Sequence, residues 1–101
     1  MAVMIAATPG HADRASLLPM IFRACQNALV GQSGQVARLS AAGVTVGEVC
    51  QCQAPLFVSH LSDAEFAEFN QSQVHVSQPT TDQFMLAIGF CGSRLMILKS
   101  H

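Results

Sequence analysis

Thr45-Val46-Gly47-Glu48-Val49-Cys50-Gln51-Cys52 opens the stretch on which the fold turns, and it continues through Gln53-Ala54-Pro55-Leu56-Phe57-Val58 to His60. A Ser or Thr followed three residues later by Glu or Gln, ahead of an apolar run, lets two side chains satisfy orphan N–H groups at a helix start. Thr45 and Glu48 have that spacing, so a helix is expected from about Thr45 to about His60. On such a helix two steps of about 100° send the side chains of Cys50 and Cys52 to nearly opposite faces. The two cannot easily bond each other. Pro55 conflicts with the helix because it removes the hydrogen bond to the Gln51 carbonyl, so a bend or a break near Ala54 is expected.

The same signature recurs downstream. Ser62-Asp63-Ala64-Glu65 predicts a helix to about Asn70, and Thr80-Thr81-Asp82-Gln83 predicts one to about Leu98. Upstream, Pro19 suits a first turn and is followed by Met20, Ile21, Phe22, Ala24, Cys25 and Leu29 up to Gly31, a further helix. Gly31 to Ser33 reads as a linker, Gln35 to Leu39 as one short turn ending at Gly43, and Gln73 to Val76 as extended loop. On the last helix Phe84, Ile88, Cys91 and Leu95 fall on one face. The expected fold is therefore all-α, a small bundle of about four helices.

The four cysteines lie one on the first helix, two on the central one and one on the last. In a short exported chain an even count reads as disulfides, and with the 50–52 link removed by geometry each remaining pairing ties the central helix to both others. The pairing that follows chain order, Cys25–Cys50 with Cys52–Cys91, is preferred over the crossed one. Each link would contribute roughly 3 to 4 kcal/mol by loop-closure arithmetic. A zinc site of the common kind needs two close ligand pairs, and only one exists here, with His11, His60, His75 and His101 standing alone. No metal or other cofactor is expected.

Composition narrows the function classes. Of 101 residues 11% are charged, against roughly 25% in a typical domain, and the formal net charge is -1. That is too little charge for a disordered segment and too little positive charge for a nucleic-acid binder. Met1 to Ala12 holds no charged side chain, and its apolar run, Thr8-Pro9-Gly10 break and small residues before Asp13 match the end of a secretory signal peptide. Residues 1–12 are thus expected to be a signal remnant cleaved after Ala12, and 13–101 a single helical domain. No stretch reaches the about 20 apolar residues that a bilayer span needs.

Catalytic constellations are weak. Ser59, His60 and Asp63 suggest a triad, but adjacent residues on a helix do not face each other. Gly31-Gln32-Ser33-Gly34 lacks the final glycine of a nucleophile elbow, since residue 35 is Gln35. No catalytic residues are expected. Asn70-Gln71-Ser72 is an N-glycosylation sequon, meaningful only in a eukaryotic source. What remains is surface: Asp63, Glu65, Phe66, Glu68 and Phe69 form one candidate partner-binding set, and the Met85, Phe90, Met96 side of the last helix is another.

Phe22-Arg23-Ala24-Cys25, Cys50-Gln51-Cys52, Leu61-Ser62-Asp63-Ala64-Glu65-Phe66 and Cys91 together resemble small exported two-disulfide helical proteins of Gram-negative bacteria. These share an F-x-x-C, C-x-C, L-[ST]-x-x-E skeleton, and the likeness spans most of Met20 to Cys91. It implies a periplasmic or secreted location and paired cysteines. Two functions follow as expectations. One is a non-enzymatic interaction protein, immunity- or inhibitor-like or a subunit of an envelope assembly, whose partner is another protein, with a homodimer as a further arrangement. The other is a small periplasmic metal or redox carrier using Cys50 and Cys52.

Overall fold

A computed structural model describes residues 14–69 and 76–100. A helical turn at Arg14–Ser16 leads into α1 (Leu18–Val30), followed by α2 (Ser33–Ala41), α3 (Val46–His60), α4 (Asp63–Glu68) and α5 (Gln78–Lys99). No strand occurs among the described residues, and the fold is an all-α bundle. The expected leader 1–12, the sequon, Gln73 to His75, His11 and His101 lie outside the described residues.

α3 is the central element. Thr45 and Glu48 form the expected capping box, the Glu48 amide donating to Thr45 Oγ1 at 3.1 Å and the Thr45 amide to Glu48 Oε1 at 2.9 Å. The helix packs on α1 along one side and α5 along another, which is why Val49, Cys50, Gln53, Ala54, Phe57 and Val58 are all buried. Of the bend or break expected near Ala54, the break does not occur. α3 runs uninterrupted through Pro55, which is exposed on its outer side, where water can serve the Gln51 carbonyl that the proline leaves without its helical donor.

Both disulfides follow chain order: Cys25–Cys50 joins α1 to α3 and Cys52–Cys91 joins α3 to α5, with Cα separations of 5.7 and 5.9 Å. Their neighbours divide the core in two. Cys25, Leu29, Leu39, Val44, Val49, Cys50, Ile88 and Cys91 make one buried cluster, and Leu17, Ile21, Ala54, Phe57, Val58, Leu61, Phe66 and Ala87 the other. Phe57 anchors the second, its ring edge-on to Phe69 at 6.3 Å and to Phe84 at 5.4 Å. One polar group enters this interior unannounced: Gln53 is fully buried, its Nε2 donating to the Phe84 carbonyl at 3.3 Å while Oε1 has no protein partner.

Two boundaries differ from expectation. The short turn at Gln35 to Leu39 is a nine-residue helix, α2, closed by a Schellman motif in which the Val44 amide donates to the Leu39 carbonyl and the Gly43 amide to the Ser40 carbonyl, both at 2.9 Å. Gly43 stands at φ +79°, a conformation glycine adopts without a Cβ penalty. Leu39 and Val44, the apolar pair that accompanies this motif, are buried together, and Leu39 also lies against Gly92 of α5, where a Cβ would sit 3.4 Å from its Cδ2. Likewise α5 does not start at Thr80. Its cap is Ser77, Pro79 occupies the first turn, and Thr80 is a buried residue one turn inside.

Candidate functional site

Of the five residues singled out around α4, Phe66 is buried in the core and Phe69 packs partly buried against it. The three carboxylates are engaged within the chain. Glu65 closes the α4 capping box with Ser62 and accepts a hydrogen bond from Gln83 Nε2 at 2.7 Å, tying α4 to α5. Glu68 accepts the Ser77 amide at 2.9 Å, the Ser77 hydroxyl at 3.1 Å and the Thr80 hydroxyl at 3.3 Å. Asp63 meets Arg14 at 3.0 Å, while the same guanidinium donates to the carbonyls of Val58 and Leu61 and covers the Phe66 ring at 4.9 Å. These residues fasten α4 across the ends of α3 and α5. They do not form a free apolar patch.

The Ser77 hydrogen bonds, the amide first, hold the Glu68 carboxyl below the usual carboxylate range. Glu48 is lowered too, chiefly by the Lys99 ammonium at 2.7 Å and then by the Thr45 amide, a contact that ties the start of α3 to the end of α5. A carboxyl depressed in the folded state contributes stability that is present above its unfolded pKa and lost as pH falls through the folded one. Urea unfolding midpoints are therefore expected to drop as pH is lowered from neutral to below about 4, and Glu48→Gln with Glu68→Gln should flatten that dependence. An equal pH slope in the double variant would contradict the assignment.

Ser59 and His60 lie closer than their adjacency suggests, with Ser59 Oγ 3.2 Å from His60 Nδ1. Both, however, point at the Leu56 carbonyl, each at 2.9 Å. A carbonyl only accepts, so Nδ1 carries the proton and offers no lone pair to the serine. Asp63 belongs to Arg14, and no triad assembles. All described cysteines are paired, which divides Cys50 and Cys52 between two disulfides, and among the described residues no three His, Cys, Asp or Glu side chains cluster as metal ligands.

The other candidate surface is the one the fold leaves open. On α5 the face carrying Phe84, Ile88, Cys91 and Leu95 lies inward, as expected. About 180° away, at the i, i+4, i+11 spacing of a second face, Leu86, Phe90 and Ile97 are 71%, 55% and 61% exposed. Leu98 and Met85 flank this face, whereas Met96, expected on it, packs partly buried against the core. Between α3 and α5 the stripe borders a shallow groove of about 470 Å³ lined by Leu56, His60, Gln83, Leu86 and Phe90. Helices apolar all round are ordinarily covered on all sides. Sequence reasoning placed Phe90 and Met85 here but missed Leu86 and Ile97, whose positions opposite the cysteine face were the available signal.

No protein-family model matches the chain, and no curated protein or solved structure matches it either. No described helix is long and apolar enough to cross a membrane.

Proposed function

We propose that this chain is a non-enzymatic interaction protein of the periplasm or the secreted fraction, an inhibitor- or immunity-like protein or an envelope-assembly subunit. Its cystine-stapled bundle holds a protein partner on the outer face of α5. The observation that carries this reading is the second apolar face of α5, Leu86, Phe90 and Ile97, standing in solvent opposite a face locked into the core by Cys91. Paired cysteines support an oxidising compartment. They weigh against the metal- or redox-carrier alternative, because neither Cys50 nor Cys52 is a free thiolate.

Leu86→Glu tests it. Because Leu86 is largely exposed, the variant is expected to melt within about 0.5 kcal/mol of the parent, yet to lose at least tenfold of the partner retained by the parent on native affinity capture. Asp63→Asn, on the α4 side, should retain the partner normally. Equal retention by Leu86→Glu and the parent would contradict the surface assignment.

A further inference from the structure

We infer that Cys52 is the chain's thiol-exchange site: a dithiol reductant opens Cys52–Cys91 in the folded protein and leaves Cys25–Cys50 closed. The inference is independent of any partner on α5 and rests on what surrounds the two links. Cys25 and Cys50 have no exposed surface, and Ile21, Leu29 and Ala54, each one helical turn from one of them, are buried as well. A thiol reaches neither sulfur without unfolding. Cys91 is equally covered, but Cys52 is only partly buried, and Gln51 and Pro55 near it on α3 are exposed. Of the four half-cystines Cys52 alone meets solvent.

The groove between α3 and α5 supplies the approach. The contacts Glu48–Lys99, Cys52–Cys91 and Gln53–Phe84 run in opposite order along the two helices, which are therefore antiparallel. Leu56 stands one turn after Cys52 and Ala87 one turn before Cys91, and both line that groove of about 470 Å³. The disulfide is the next rung beyond it. A thiolate of the reductant attacks Cys52 Sγ and forms a mixed disulfide; the Cys52–Cys91 bond breaks, and its electron pair leaves on Cys91 Sγ, which takes up a proton. The reductant's second thiol then gives up its proton and displaces Cys52, which takes that proton, so the reductant becomes a disulfide and the chain gains two thiols. Exchange stops there. Cys50 and Cys52 are two steps of about 100° apart on α3, so the released Cys52 sulfur faces α5 and does not reach the Cys25–Cys50 bond on the α1 side. α5 loses its staple while α1 and α3 stay joined.

Dithiothreitol is the probe. The oxidised full chain is treated with it in buffer and in sub-denaturing urea, samples are alkylated at intervals, and the alkylated cysteines are located by peptide mass. The expected course is a two-thiol intermediate alkylated at Cys52 and Cys91 alone, still helical by circular dichroism, formed at least about tenfold faster than the fully reduced chain. Its formation should hardly respond to urea, whereas opening of Cys25–Cys50 should accelerate, because that link is reached only through unfolding. With glutathione in place of the dithiol and the released Cys91 thiol trapped by alkylation, the adduct is expected on Cys52. Opening of Cys25–Cys50 first, simultaneous opening of both links, a first step accelerated by urea, or a glutathione adduct on Cys91 overturns the inference.

Discussion

Replacing Cys52 and Cys91 together by alanine is expected to lower unfolding stability by roughly 3 to 4 kcal/mol, and replacing Cys25 with Cys50 by a similar or slightly smaller amount. The ordering follows from loop length: the two links close 39 and 25 residues, and the longer loop removes more freedom from the unfolded chain. Because domains carry about 0.05 to 0.15 kcal/mol of net stability per residue, either loss takes a large fraction of the total, and reducing both links should abolish cooperative unfolding. Urea titration with and without reductant measures this. A change below about 1 kcal/mol for either pair would mean that the helix packing alone sustains the fold.

Phe57→Ala is the second large effect, expected to cost about 3 to 5 kcal/mol. Phe57 is among the largest fully buried side chains and stands where α1, α3, α4 and α5 converge, with Phe69 and Phe84 edge-on against its ring. Its removal takes away apolar transfer, both ring contacts and the wall on which α4 rests. Surrounding α3 is held to α1 and α5 by the disulfides, so the neighbours cannot collapse far into the void. A denaturation midpoint within 1 kcal/mol of the parent would show that the site relaxes and that Phe57 is not a keystone of the second cluster. Phe90→Ala, on the exposed face, serves as the paired control and should cost little.

Much of the bundle was legible because its signals are local. The Thr45–Glu48 and Ser62–Glu65 boxes mark true helix starts, and the opposed faces of Cys50 and Cys52 exclude a link between them, leaving two pairings of which the fold adopts the one in chain order. α2 escaped because it has no side-chain cap, contains Gly34 and buries only Leu39; its stability comes from the Schellman turn and from Gly92 on a distant helix. The start of α5 was misplaced for a related reason. Thr80 and Gln83 reproduce the capping-box spacing, but the true cap, Ser77, has Thr80 at its third position, and the carboxylate that accepts the Ser77 amide comes from Glu68 of α4. Pro55 illustrates the limit of a local rule, since an exposed proline on an otherwise well-packed helix is tolerated without a break.

The surface was less legible than the fold. Phe66 and Phe69, three apart on a short acidic helix, read equally as patch or as core, and only Arg14 on one side and Phe57 on the other decide for the core. On α5 the difficulty is that both faces are apolar, so periodicity alone does not say which one turns inward. Cys91 does, once its partner is known. The inner face is fixed by the disulfide, and the exposed Leu86, Phe90 and Ile97 follow as its opposite.

The central claim is that two cystines staple α1 and α5 to α3 and so hold the outer face of α5 in place. Intact mass of the natively isolated protein, denatured and treated with a thiol alkylator before and after reduction, tests it most directly. The account predicts no alkylation before reduction, a mass about four hydrogens below that of the reduced chain, and four alkyl groups afterwards. Alkylation of Cys50 and Cys52 without prior reduction would contradict it and return the C-x-C pair to the carrier reading.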